Sequence, residues 1–256
     1  MFSRWLSVLV TLCVAHAAAI AQGLDSVWVE TYHVWDSLGA NGKPLVTYRI
    51  WVDMTPGYLM QVVYGDRAHD LEVSTTTEFY NAPDGSVKYA DQLGVKEALT
   101  YLLALDSWFT VGAVSKRYLA VPLHLDKDGS LFTCPPFPRP GRGSDKKRSL
   151  CKRDGLLAAD SVKAVVNWRF EPGYLGDILG GVIHTMDGAW AVLGGTPGVT
   201  EQNQVLIAQV TTSGELSYKL NIQVATVDRV AIKYVHDRPA ENEVMHPSLR
   251  FGKYWK

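Results

Sequence analysis

The chain has 256 residues, 47% of them hydrophobic, and a formal net charge of −1. That is ample apolar material for a packed core. The near balance of charge gives the chain as a whole no electrostatic footprint for nucleic acid or an anionic membrane.

Residues 1–21 read as a secretory leader: Arg4, an apolar run from Leu6 to Ile20 too short to span a bilayer comfortably, and Ala19-Ile20-Ala21 as a cleavage site. The mature chain is then expected to begin near Gln22 and to be secreted or held at the cell surface, with the periplasm as the alternative. Downstream, charge, Gly or Pro interrupts every long apolar segment, so no membrane span is expected. Cys13 lies in the leader behind Leu12, where a lipoprotein signal needs a small residue. Cys134 and Cys151 are the remaining thiols, and an exported protein most simply pairs them. Chain entropy gives about 3 kcal/mol for a loop of this length.

Most of the chain alternates with period two between turn residues, the pattern of strands. Val27 to Trp35 and Leu45 to Asp53 are expected as antiparallel neighbours across the Asn41-Gly42 turn. Tyr58 to Tyr64 and Leu71 to Thr77 follow, joined by the polar segment Gly65 to Asp70. Leu93 to Leu105 carries helix formers with apolar residues at spacings of three and four, and predicts one short helix. Ser107 to Val114 and Tyr118 to Leu125 return to strand. From Pro135 to Arg153 the prolines, glycines and cations predict an exposed basic loop closed by the disulfide. Gln204 to Thr212 and Glu215 to Ala225 predict a hairpin around Ser213-Gly214.

These elements predict an all-β fold: an antiparallel, β-sandwich-like (jelly-roll-like) domain with one short helix. It is expected to fill residues 22–236, with the 134–151 loop as an excursion and 237–256 as a C-terminal tail.

Several phrases resemble a known domain family. They are Val29-Glu30-Thr31-Tyr32, the block from Thr47 to Tyr58, Val63-Tyr64-Gly65, Ser74 to Asn81, Leu105 to Trp108, Val205 to Thr212 and Leu220 to Val224. Together they resemble an uncharacterised secreted β-rich domain of marine Bacteroidetes, often found upstream of type IX secretion sorting domains. The resemblance implies a secreted β-rich domain and assigns no activity or catalytic residue. The chain closes too soon after Val224 for a separate sorting domain of sandwich type, which keeps periplasmic residence open.

Candidate sites are few. Asp126-Lys127-Asp128-Gly129 has the alternating carboxylates of a calcium loop, but His124 stands two residues ahead and no Glu closes the loop, so an Asp-Gly turn is the preferred reading. Asp66, His69 and Asp70 offer metal-ligand chemistry in a loop that needs polar residues anyway. The other histidines, His33, His124, His184, His236 and His246, show no ligand spacing, and no nucleophile motif occurs. Trp28, Trp51 and Trp108 are expected in the core. Trp190, among glycines, is the candidate exposed aromatic for stacking on a sugar ring. Arg139, Arg142, Lys146, Lys147 and Arg148 are the candidate contacts to an anionic surface component. The expected function is an exported, non-catalytic surface, matrix or binding protein, with a carbohydrate-binding module or a secreted hydrolase as alternatives.

Overall fold

The computed structural model describes residues 23–39, 41–83, 85–94, 106–125, 155–169 and 180–254. The fold is all-β and antiparallel-sandwich-like, as the alternation predicts. In chain order the strands are β1 (Leu24–Leu38), β2 (Pro44–Met54), β3 (Leu59–Gly65), β4 (Leu71–Thr75), β5 (Trp108–Phe109), β6 (Ala113–Ser115), β7 (Tyr118–Ala120) and β8 (Leu156–Ala158). There follow β9 (Val166–Trp168), β10 (Val182–Thr185), β11 (Gly188–Thr196), β12 (Gln204–Thr212), β13 (Leu216–Lys219), β14 (Asn221–Ala225), β15 (Ala231–Val235), β16 (Glu243–Met245) and β17 (Arg250–Phe251).

Among the described residues these form four sheets, with strand orders β1-β2-β12-β5, β10-β4-β13-β17, β16-β15-β14-β3-β11-β9 and β6-β7-β8. β1 and β2 pair antiparallel as expected, from Leu24 opposite Met54 to Leu38 opposite Pro44. Gly42 takes φ +73 in their turn, a conformation that suits a residue without a side chain. The main core draws on three sheets: Ile50, Val52 and Ile207 from the first, Val73 and Tyr218 from the second, Met60, Trp190 and Ile222 from the third. A smaller core, with Trp51, Trp108, Val114, Ala120 and Leu206, lies on the other face of the first sheet. Every residue of β12 is therefore buried. Its alternate side chains enter opposite cores, which a strand covered on both faces must do.

Two expectations change. Gln204–Ala225 is not one hairpin: β12 pairs with β2 and β5, whereas β13 pairs with β4 and β17, and β14 pairs with β3 and β15. The Ser213-Gly214 turn is instead a corner between sheets. A Cβ on Gly214 would stand 2.5 Å from Thr75 Oγ1 and 2.7 Å from Thr77 N, so the chain is pressed against β4 as it leaves the first sheet. Nor is the segment from 237 a tail. β16 pairs parallel with β15, β17 closes on β13, and Leu249 is fully buried. The expected helix from residue 95 onward lies outside the described residues, as does the 134–151 loop.

Candidate functional site

Trp190 is not an exposed platform but one of the largest fully buried side chains. Alternation along β11 turns it inward opposite Val63, and its ring centroid lies 4.2 Å from that of Phe109. Its indole N–H donates to the carbonyls of Thr110 and Ile207 at 3.1 and 3.2 Å, so burial leaves no polar atom stranded. The neighbouring glycines serve the backbone and not solvent access: Gly195 has φ +69, and a Cβ there would press on Leu59 and Gln61 at 2.9 Å.

Among the described residues Trp168 is the exposed tryptophan, 64% accessible. On β9, at the edge of the six-stranded sheet, it stands opposite Ala189, which in turn stands opposite Tyr64 on β3. Residues in register share a face, so Trp168, Ala189 and Tyr64 form a row on the side away from Trp190 and Val63. Val166 opposite Ala191 makes a second row beside it. Arg169 borders the strip, its guanidinium carbon 5.7 Å from the Trp168 ring, and pairs with Asp187. Trp168 is the exposed member of this row; Tyr64 is buried at 8% accessible, with the Lys233 ammonium 5.5 Å from its ring.

A second concentration of chemistry lies where the β3–β4 loop meets the turn after β15. Asp66 folds that loop, its Oδ1 accepting from the backbone N–H groups of Ala68 and His69 at 2.9 Å each. This Asx turn presents His69 and Asp70. Asn221, fully buried at the start of β14, is the hub: its Nδ2 donates to the carbonyls of Tyr64, His69 and Asp70, and its Oδ1 accepts from His236 N. His69 Nε2 meets Glu243 Oε2 at 2.8 Å, and His236 Nε2 meets the Asp70 carbonyl at 3.0 Å. Asp237 Oδ1 lies 3.3 Å from His236 Nδ1 and 3.6 Å from His69 Nδ1, while its Oδ2 faces Arg238 and Arg250. On the outer side, Asp70 Oδ2 accepts from Lys219 at 2.5 Å and contacts His184 Nε2 at 2.9 Å.

Electrostatics differ across this cluster. Burial pushes the Asp70 carboxyl up, but the bonds from Lys219 and His184 outweigh it and hold the group below its ordinary value. Burial lowers His236, against the pull of Asp237 and the Asp70 carbonyl, and so favours the neutral ring. Among the described residues, no hydroxyl or thiol is a hydrogen-bond partner of the His69, His184 or His236 rings. The cluster offers bases and ligands, not an activated nucleophile.

Of the expected site residues, His69 and Asp70 enter this cluster and Asp66 only shapes its loop. His124 packs on Trp28 with centroids 5.6 Å apart. Asp126, Asp128, Cys134, Arg139, Arg142, Lys146, Lys147, Arg148 and Cys151 lie outside the described residues. Of the histidines that showed no ligand spacing in sequence, His184 and His236 join this cluster. One signal was available: His69-Asp70 and His236-Asp237 are both His-Asp dipeptides. No family model, curated protein or solved structure matches this chain.

Proposed function

We propose that this is an exported, non-catalytic binding protein whose ligand is a polysaccharide, held on the outer face of the six-stranded sheet. The observation that carries the reading is the exposed Trp168 on the edge strand β9, opposite the small Ala189. A sugar ring presents an apolar C–H face that stacks on an indole, while small neighbours let an extended chain lie flat. Arg169 and Asp187 at the border supply polar groups for the sugar hydroxyls. Export rests on the leader pattern of residues 1–21 and on the resemblance to secreted domains, and secretion or cell-surface display is preferred to periplasmic residence.

The test is retention of the mature protein on a panel of insoluble and gel-embedded polysaccharides, with Trp168→Ala in parallel. Saturable retention that Trp168→Ala abolishes supports the proposal. Equal retention by both proteins removes the platform, and retention on no polysaccharide leaves a structural role. Release of reducing ends from the same panel would overturn the non-catalytic half.

A further inference from the structure

Among the described residues Arg49 is the one buried Lys or Arg, 3% accessible. Strand β2 turns it onto the face of the first sheet that carries the smaller core, in a row with Glu30 of β1 and Gln209 of β12. Its guanidinium carbon lies 3.4 Å from the centroid of the Tyr32 ring, and its Nε donates to Gln209 Oε1 at 3.1 Å. Its Nη1 is buried with no hydrogen-bond partner. Nor, among the described residues, does a carboxylate pair with it: the arginine ion pairs there belong to Arg169, Arg238 and Arg250. Glu30, opposite in register, spends its two oxygens on the Trp51 indole N–H at 3.1 Å and the Leu123 N–H at 2.7 Å. Trp108, beyond Gln209 in the same row, adds an indole N–H that is also buried without a partner. A buried charge is costly unless it is paired and hydrogen-bonded, so this face of the sheet presents donors that call for an anion.

We infer that Arg49 anchors a binding site for a small monocarboxylic acid, enclosed between the first sheet and the β7–β8 pair. The Nη end of a guanidinium is a planar fork of parallel donors that matches the two oxygens of one carboxylate. Tyr32 and Gln209 hold the plane of the fork from its face and from its Nε side, and neither contact uses that end. The fork is set before a ligand arrives, which lowers the cost of binding.

The surroundings of Nη1 set the size of the ligand. A Cβ on Gly155 would stand 3.6 Å from Nη1, 3.7 Å from Leu123 Cδ2 and 2.5 Å from the Val121 carbonyl, so glycine is what fits there. Backbone and an apolar side chain wall the fork on that side and bring no charge of their own, and an ion pair is strongest where water is kept out. Enclosure this complete admits a small acid and not a polymer, so the site is separate from the Trp168 face, which lies on another sheet. β8 is held to β7 by three residue pairs, and Leu157 at its centre is 46% accessible, which makes it the element whose local opening admits the ligand.

The experiment is thermal melting of the full mature chain, dialysed free of organic anions, in sodium formate, sodium acetate and sodium sulfate at matched ionic strength. At about ten times its Kd, formate or acetate should raise Tm by about 3–6 °C. Arg49→Lys keeps the charge without the fork and should need more than tenfold higher carboxylate for the same shift. Arg49→Met should show no shift specific to carboxylate, and sulfate should move wild type and Arg49→Lys alike. If Arg49→Met fails to fold, Arg49→Lys decides alone. No carboxylate-dependent shift in wild type, the same shift in Arg49→Lys, or a wild-type shift with sulfate alone would each overturn the proposal. Polysaccharide retention enters none of these readings, so the Trp168 platform stands or falls separately.

Discussion

His69 and Glu243, 174 positions apart in sequence, meet at 2.8 Å with side chains only 3% and 8% accessible. The contact ties the β3–β4 loop to the first residue of β16, so two peripheral segments hold each other in place. Glu243 Oε2 also accepts from the Ala240 N–H at 2.9 Å, which closes the turn between β15 and β16.

Glu243→Ala leaves the His69 Nε2–H buried without its acceptor and releases that turn. The expected loss is about 1.5–3 kcal/mol, the range for a hydrogen bond to a charged group. Urea denaturation checks it.

Asp106 is fully buried where the chain enters β5, and organises the 82–87 segment. Its Oδ1 accepts from Ala82 N and Ser86 Oγ at 2.9 Å each, and its Oδ2 from Val87 N at 3.0 Å. Burial pushes its carboxyl up, and these donors offset that only in part. Asp106→Ala orphans two backbone donors, so a loss of about 2–5 kcal/mol is expected. Thermal and urea unfolding read it, and amide exchange should rise first at Ala82 and Val87.

Glu72 on β4 supplies a pH-dependent tie. Burial pushes it up, but bonds from Tyr254, Lys253 and Ser74 outweigh this and hold it below its ordinary value. A depressed carboxyl favours the fold above its unfolded pKa, and that contribution is lost as pH falls through the folded value. The stability difference between wild type and Glu72→Gln should therefore shrink as the pH drops below about 4.3. Melting temperatures from pH 7 to 3 test the sign, and a gap that widens on acidification contradicts it.

The two tryptophans should separate cleanly. Trp190→Ala empties a core site with two indole hydrogen bonds and should cost about 3–5 kcal/mol. Trp168→Ala should change stability by less than about 0.5 kcal/mol while abolishing polysaccharide retention. Equal destabilisation by both would mean that the outer face is a covered interface.

Strand existence was legible for β1 to β7 and β12 to β14, whereas β8 to β11 and β15 to β17 were not read from the sequence. β1 and β2 could be read with their pairing, because Asn41-Gly42 fixes the register locally. The Ser213-Gly214 corner was not: alternation is the same whether a strand returns beside its predecessor or crosses to another sheet, and only the approach to Thr75 and Thr77 distinguishes them. Trp190 was misplaced because flanking glycines look like a loop, whereas here they sit within β11 and its bulge. The His–Asp cluster was half visible. Its members come from four stretches of chain gathered by Asn221, and spacing rules see only ligands that one helix or loop brings together.

β16 and β17 belong to different sheets, and Phe251 stacks on Tyr218 with centroids 5.3 Å apart. The six-stranded sheet needs the chain as far as Met245 to cover β15, and the other needs it as far as Phe251 to cover β13. Until those segments are made, β13 and β15 each keep one unpaired edge, open to any other strand that can supply the missing ladder.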